Sequence, residues 1–109
     1  MEKLPALTYS HNWNNKLNSH VHTTLRLWNP AKYYKGAKFE EFLKGESIGT
    51  VLVVEVKKLK LAQVNDYIAG LDTGYLAASC HEMIKSMYKN IVNDWKVQEL
   101  AFVLLIRID

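Results

Sequence analysis

Two apolar segments, "TVLVVEVKKL" at 50–59 and "ELAFVLLIRI" at 99–108, constrain this chain more than any other feature. Runs so rich in Val, Leu and Ile suit strands that are covered rather than strands that alternate between core and water. The first is dense enough to be buried on both faces at its start. The second is too apolar for a sheet edge and reads as a central strand.

Between them the hydrophobic period changes to that of a helix. Leu61, Val64, Ile68 and Leu71 fall on one helical face, and Gly70 lies where such a helix would stop. A second helix follows, with Cys80, Met83, Ile84, Met87, Tyr88 and Ile91 on one stripe and Ser79 with Glu82 as a capping box.

Upstream, "TTLRLW" (23–28) alternates at period two, placing Thr23, Leu25 and Leu27 on one face and Thr24, Arg26 and Trp28 on the other. Asn29-Pro30 ends this strand, and a turn at Gly36 leads into another from about Lys38 to Leu43. The Asn- and His-rich stretch 10–22 favours a short helix capped by Ser10, with Trp13 and Leu17 as its buried pair. Four strands interrupted by two helices indicate a small α+β domain or barrel.

The 109 residues, 49% hydrophobic and 23% charged, fit one domain spanning 1–109 around one core. A formal charge of +3 permits nucleic acid as a partner without demanding it, and falls far short of what wrapping duplex DNA requires. The single cysteine, Cys80, excludes an intramolecular disulfide and a Cys-rich zinc site, which suits a reducing compartment. The N-terminal residues lack a signal-like apolar core, and no run of about 18 apolar residues occurs. A cytoplasmic protein without membrane contact is expected. No cofactor is implied, since neither a phosphate-cradling glycine loop nor a "G-x-S-x-G" elbow is found.

The succession of a polar strand ending in Arg26, a turn with Tyr34, Lys35 and Gly36, the strand through Glu55-Val56, a helix ending in Tyr88 and a last apolar strand resembles the ASCH domain. The resemblance spans roughly residues 10–108 and implies a small PUA-like open β-barrel of ASCH type, with flanking helices and a cleft beside the polar strand. It also implies RNA binding, which the superfamily is associated with. One bacterial branch hydrolyses the acetyl amide of acetylated cytidine and carries the pattern "G-x-K-T-x-T-x-R". Here the aligned stretch is "SHVHTTLR". Thr24 and Arg26 match, whereas Ser19 stands at the glycine, Val21 at the catalytic lysine and His22 at the next threonine. Asp72 falls near that branch's glutamate.

Thr24, Arg26 and Trp28 offer a hydroxyl, a guanidinium and a stacking surface on one strand face, a set suited to a base or nucleotide. Tyr34, Lys35 and Lys38, with Lys32, Lys57, Lys58 and Lys60 near them, form a candidate basic rim for phosphates. Both groups have plainer readings as a solvated strand face and as solubilising charge. The expected function is therefore binding of RNA or a modified nucleoside or nucleotide, with a protein-interaction module as an alternative. A further alternative is an amidohydrolase in which His22 substitutes for the lysine as base beside Thr24, with Asp72 as acid partner. With Val21 unable to carry a proton, efficient turnover is not expected. His11, His20 and His22 lack a placed carboxylate or thiolate, so no metal site is assigned.

Overall fold

The computed structural model describes residues 3–109. Five strands, β1 (Ala6–Tyr9), β2 (Val21–Leu27), β3 (Lys38–Leu43), β4 (Glu46–Lys60) and β5 (Glu99–Arg107), form one sheet in the order β1-β3-β4-β5-β2. β1 runs parallel to β3 and every other neighbour is antiparallel. The two end strands approach each other, for Arg26 Nη2 on β2 donates to the Thr8 carbonyl on β1 at 2.9 Å. The sheet is thus curled into a half-barrel whose open seam lies between β1 and β2.

Two bulges supply the bend. Both extra residues lie on β4: Ile48, opposite the Glu41–Phe42 step of β3, and Val54, between Val53 and Glu55. The second also explains the dense apolar run of β4, which is not a strand buried on both faces. Val51 and Val53 point into the concave core, Val54 is the extra residue and is exposed, and Val56 then pairs with Val103 on the concave side. One inserted residue changes the parity of the strand, so consecutive valines replace an alternating pattern. β5, paired on both sides, is the central strand its composition implies.

Two helices, α1 (Asp66–Thr73) and α2 (Ala77–Met87), pack on the convex face, where Leu25, Leu59 and Leu100 of the sheet meet Ala69, Cys80 and Ile84. Their boundaries differ from the sequence expectation. Leu61 and Val64 precede α1, which is capped by Asn65, whose Oδ1 accepts from the Ile68 amide at 2.9 Å. It ends at Gly74 (φ 79°), not Gly70, because the left-handed turn that closes it needs glycine. α2 begins before Ser79, and its Ala77 amide donates to Asp66 Oδ1 at 2.8 Å, so α1 caps α2. It stops at Met87, leaving Ile91 exposed.

The segment read as a short capped helix is a 3₁₀ stretch, Trp13–Asn18, broken by left-handed Asn14 and Asn15. Asn12, not Ser10, holds it, with Oδ1 accepting from the Leu17 amide at 2.9 Å. The strand β1 has no counterpart in the sequence reading. Among the described residues no helix is long and apolar enough to cross a membrane.

Candidate functional site

β2 pairs with β5 alone, so its other edge faces the seam. A cavity of about 260 Å³ opens along that edge. Its walls come from β1 (Thr8, Tyr9), the 3₁₀ stretch (Trp13, Lys16), β2 (Thr24, Leu25, Arg26) and the two helices (Asp72, Met83, Met87, Tyr88). The α2 stripe is accordingly only partly covered: Cys80 is buried in the core, Ile84 and Tyr88 both pack there and line the cavity, and Met83 and Met87 line the cavity.

Lys16 enters the cavity because the left-handed Asn14 and Asn15 fold the 3₁₀ stretch back, and Asn14 Nδ2 ties it to the Gly70 carbonyl at 3.3 Å. Its side chain is buried, and Nζ donates to Asp72 Oδ1 at 2.9 Å. Thr23 Oγ1 donates to the same oxygen at 2.8 Å. Burial holds the Lys16 amine below its ordinary value, and the neighbouring Asp72 carboxylate only partly opposes this. Arg26 Nε donates to Thr24 Oγ1 at 3.0 Å, and its guanidinium lies 4.9 Å from the Tyr9 ring centre. Arg26 therefore both closes the seam and presents charge to the cavity. Trp13 and Tyr88 provide aromatic wall, with burial raising the Tyr88 phenol above its usual value.

Deeper in the half-barrel lies a second polar cluster. Glu41, fully buried, accepts from Tyr9 Oη at 2.7 Å and pairs with His22 Nε2 at 2.8 Å through the same oxygen. Its other oxygen takes Arg107 Nη2 at 3.1 Å. His22 Nδ1 faces the Ser19 carbonyl at 3.1 Å. Burial alone would raise the Glu41 carboxyl, but the bonds from His22 and Tyr9 and the charge of Arg107 outweigh it and hold the group below its ordinary value. Burial and the adjacent carboxylate push the Tyr9 phenol well above its own. No buried polar side-chain atom lacks a partner among the described residues.

The residues singled out in the sequence are divided by the fold. Thr24, Arg26 and Asp72 line the one cavity. His22 shares the β2 face with Thr24 and Arg26 but is held by Glu41 and Ser19 beneath the cavity floor and is not among its walls, so it is not placed to serve as a base there. Trp28 lines an adjoining hollow with Arg26, Lys32 and Tyr33. Tyr34 and Lys38 belong to a third hollow, with Lys3 and Lys32. Lys35 is exposed and lines none of these, and Lys57 borders a separate groove on the convex face.

Lys16, Trp13 and Tyr9 were not candidates. Lys16 and Trp13 fall in the stretch that reads as a short capped helix, Tyr9 lies just before it, and nothing in spacing shows that this lysine is buried against an aspartate 56 positions away. Glu41 sits in an ordinary-looking strand and had no signal either. Among the described residues no group of three His, Cys, Asp or Glu side chains is arranged to hold a metal ion.

No family model and no curated protein matches the chain. A solved structure is similar, the crystal structure of protein EF3133 from Enterococcus faecalis V583, described under the family model DUF984. The two agree with a TM-score of 0.73 at 8% sequence identity, over 100% of this chain and 82% of the other. That likeness concerns the fold: a small α+β domain built on a curled five-stranded sheet.

Proposed function

We propose that the seam cavity binds a nucleoside unit, free or as part of RNA, in a domain of PUA-like, ASCH type. The observation that carries this is the convergence of Thr24, Arg26, Lys16 and Asp72 with Trp13 and Tyr88 around one hollow. At about 260 Å³ the space falls just below the roughly 300 Å³ at which pockets for drug-sized ligands begin, a scale that suits one base and its sugar. The rings offer stacking surface, Arg26 and Lys16 offer donors for carbonyl oxygens, and Asp72 offers an acceptor for an exocyclic amine or a ribose hydroxyl.

Isothermal titration of the four ribonucleosides and acetylcytidine is the test. Binding of at least one with Kd below a millimolar, weakened about tenfold or more in Arg26→Ala, is expected. No heat from any of them at millimolar concentration would refute the reading. It would favour a protein partner instead, for which the exposed Tyr67, Leu71 and Leu76 around α1 are the available apolar surface.

A second reading draws on Lys16. An amine with a lowered pKa in the same cavity as the Thr24 hydroxyl replaces, from a different chain position, the lysine that Val21 lacks. Hydrolysis of an acylated nucleoside amine would then use Lys16 as proton acceptor for Thr24. Cytidine release from acetylcytidine, abolished by both Lys16→Met and Thr24→Ala, would establish it. Turnover that survives Thr24→Ala would exclude it.

A further inference from the structure

Beyond the seam cavity the surface continues in two further hollows. The second, about 360 Å³, shares Arg26 and Tyr88 with the first and adds Trp28, Asn29, Lys32 and Tyr33. The third, about 470 Å³, shares Lys32 with the second and adds Lys3, Tyr34 and Lys38. The three therefore abut in sequence, each common wall carrying a cation.

Their charges are not alike. The first holds a carboxylate, Asp72, beside its cations. Among the described residues neither the second nor the third has a carboxylate in its lining. Mixed polarity suits the edge of a base with a sugar, whereas cations unopposed by any anion suit phosphate. Aromatic rings recur in step with the cations: Trp13 and Tyr88, then Trp28 and Tyr33, then Tyr34. Lys32 Nζ lies 5.3 Å from the Tyr33 ring centre, so that ring of the middle hollow carries positive charge at its face, whereas Lys58 Nζ, 5.4 Å from the Trp28 ring centre, is paired with Glu99 Oε2 at 3.5 Å. Alternation of cation and ring along a narrow path is what a flexible, unpaired strand requires. A duplex would need a broader basic surface than a chain of net charge +3 provides.

Resting on the nucleoside reading of the first cavity, we propose that the ligand is a single strand of nucleic acid: one nucleotide sits in the seam cavity, the adjoining phosphate lies between Arg26 and Lys32, and the strand continues past Lys32 toward Lys38. Lys32 is the hinge of this path because it borders both outer hollows. Of the basic rim expected from sequence, Lys32 and Lys38 lie on this path with Arg26 and Lys3, and Lys35 lines none of its hollows.

The experiment titrates the intact protein with the four ribonucleosides, their 5′- and 3′-monophosphates, the four homotetranucleotides and, as an anionic control, tetraglutamate. Affinity is expected to rise from nucleoside to monophosphate and again, at least about tenfold, to tetranucleotide, since each added base can stack and each phosphate can pair. The tetranucleotide, with three phosphodiesters, should show a log–log salt slope near −2. In Lys32→Ala the ratio of tetranucleotide to nucleoside affinity should fall about tenfold. Lys85→Ala, on the exposed side of α2, should retain it. A nucleoside that binds without any gain for its tetranucleotide overturns the strand and leaves the nucleoside reading intact. So does a gain that stops at the monophosphate, which would identify a free nucleotide as ligand. Tetraglutamate binding as tightly as the best tetranucleotide overturns it in favour of an acidic peptide. Absence of nucleoside binding removes the reading on which the proposal rests, and the proposal with it.

Discussion

Replacing Glu41 by glutamine removes one charge from the middle of the half-barrel while keeping the side chain's shape. In the native protein one carboxylate oxygen serves Tyr9 Oη and His22 Nε2, and the other serves Arg107 Nη2. A glutamine can set its carbonyl toward the first pair, which turns its NH₂ onto the Arg107 donor, or toward Arg107, which turns the NH₂ onto His22. Either orientation loses a charge-assisted bond, worth about 1.5–3 kcal/mol, and the first also opposes the NH₂ and Arg107 donors in a buried site, at about 1–3 kcal/mol more. These two effects overlap, and the loss for breaking a buried charge pair is about 3–5 kcal/mol. We therefore expect a destabilisation of about 4 kcal/mol, read by urea denaturation at pH 7, and a fall in Tm of roughly 15 °C. The pH dependence carries the sign. Because Glu41 titrates lower in the folded chain than the ordinary glutamate value of 4.5, its contribution is fully present above that pH and is lost as pH falls through the folded value. The gap between wild type and Glu41→Gln should consequently narrow below about pH 4.5. A loss under about 1 kcal/mol at pH 7, or a gap that widens in acid, would refute this account of the cluster.

Two further substitutions probe how the cavity is built. Gly74→Ala places a Cβ at φ 79°, 3.1 Å from Asn14 Oδ1, and should cost about 1–2 kcal/mol in chemical denaturation, whereas Gly45→Ala, which meets nothing within 4 Å, should cost less. Asp72→Asn removes the carboxylate that partners the buried Lys16 Nζ and should lower stability by about 2–4 kcal/mol at pH 7, with part of the loss recovered in the double variant Lys16→Met/Asp72→Asn; equal losses in both would show that the pair is not coupled.

The elements that depend on local pattern were legible without the structure. Period-two alternation placed Thr24 and Arg26 on one face of β2, and both reach the cavity. The apolar density of 99–108 marked a strand paired on both sides. The helical period from Cys80 to Tyr88 marked α2, because burying one stripe against a sheet imposes that spacing, whereas the stripe read before it did not hold: Leu61 and Val64 precede α1 and Leu71 is exposed. What failed locally did so for identifiable reasons. β1 is short and presents one face to the core through Leu7 and Tyr9, too few residues for alternation to register. The valine run of β4 looked like two-sided burial because a bulge changes parity without leaving a mark in composition.

The cavity itself belongs to the tertiary structure. Lys16 and Asp72 meet across 56 positions, and Tyr9 meets Glu41 across 32, only because the curl of the sheet brings its end strands together and the 3₁₀ stretch folds over the gap between them. Sequence spacing reports neighbours along a helix or strand, where backbone geometry repeats. It carries no record of which distant groups share a low-dielectric interior. That is why Thr24 and Arg26 could be named from the chain alone, while the lysine beside them, and the confinement of His22 by Glu41, were decided by the closing of the half-barrel.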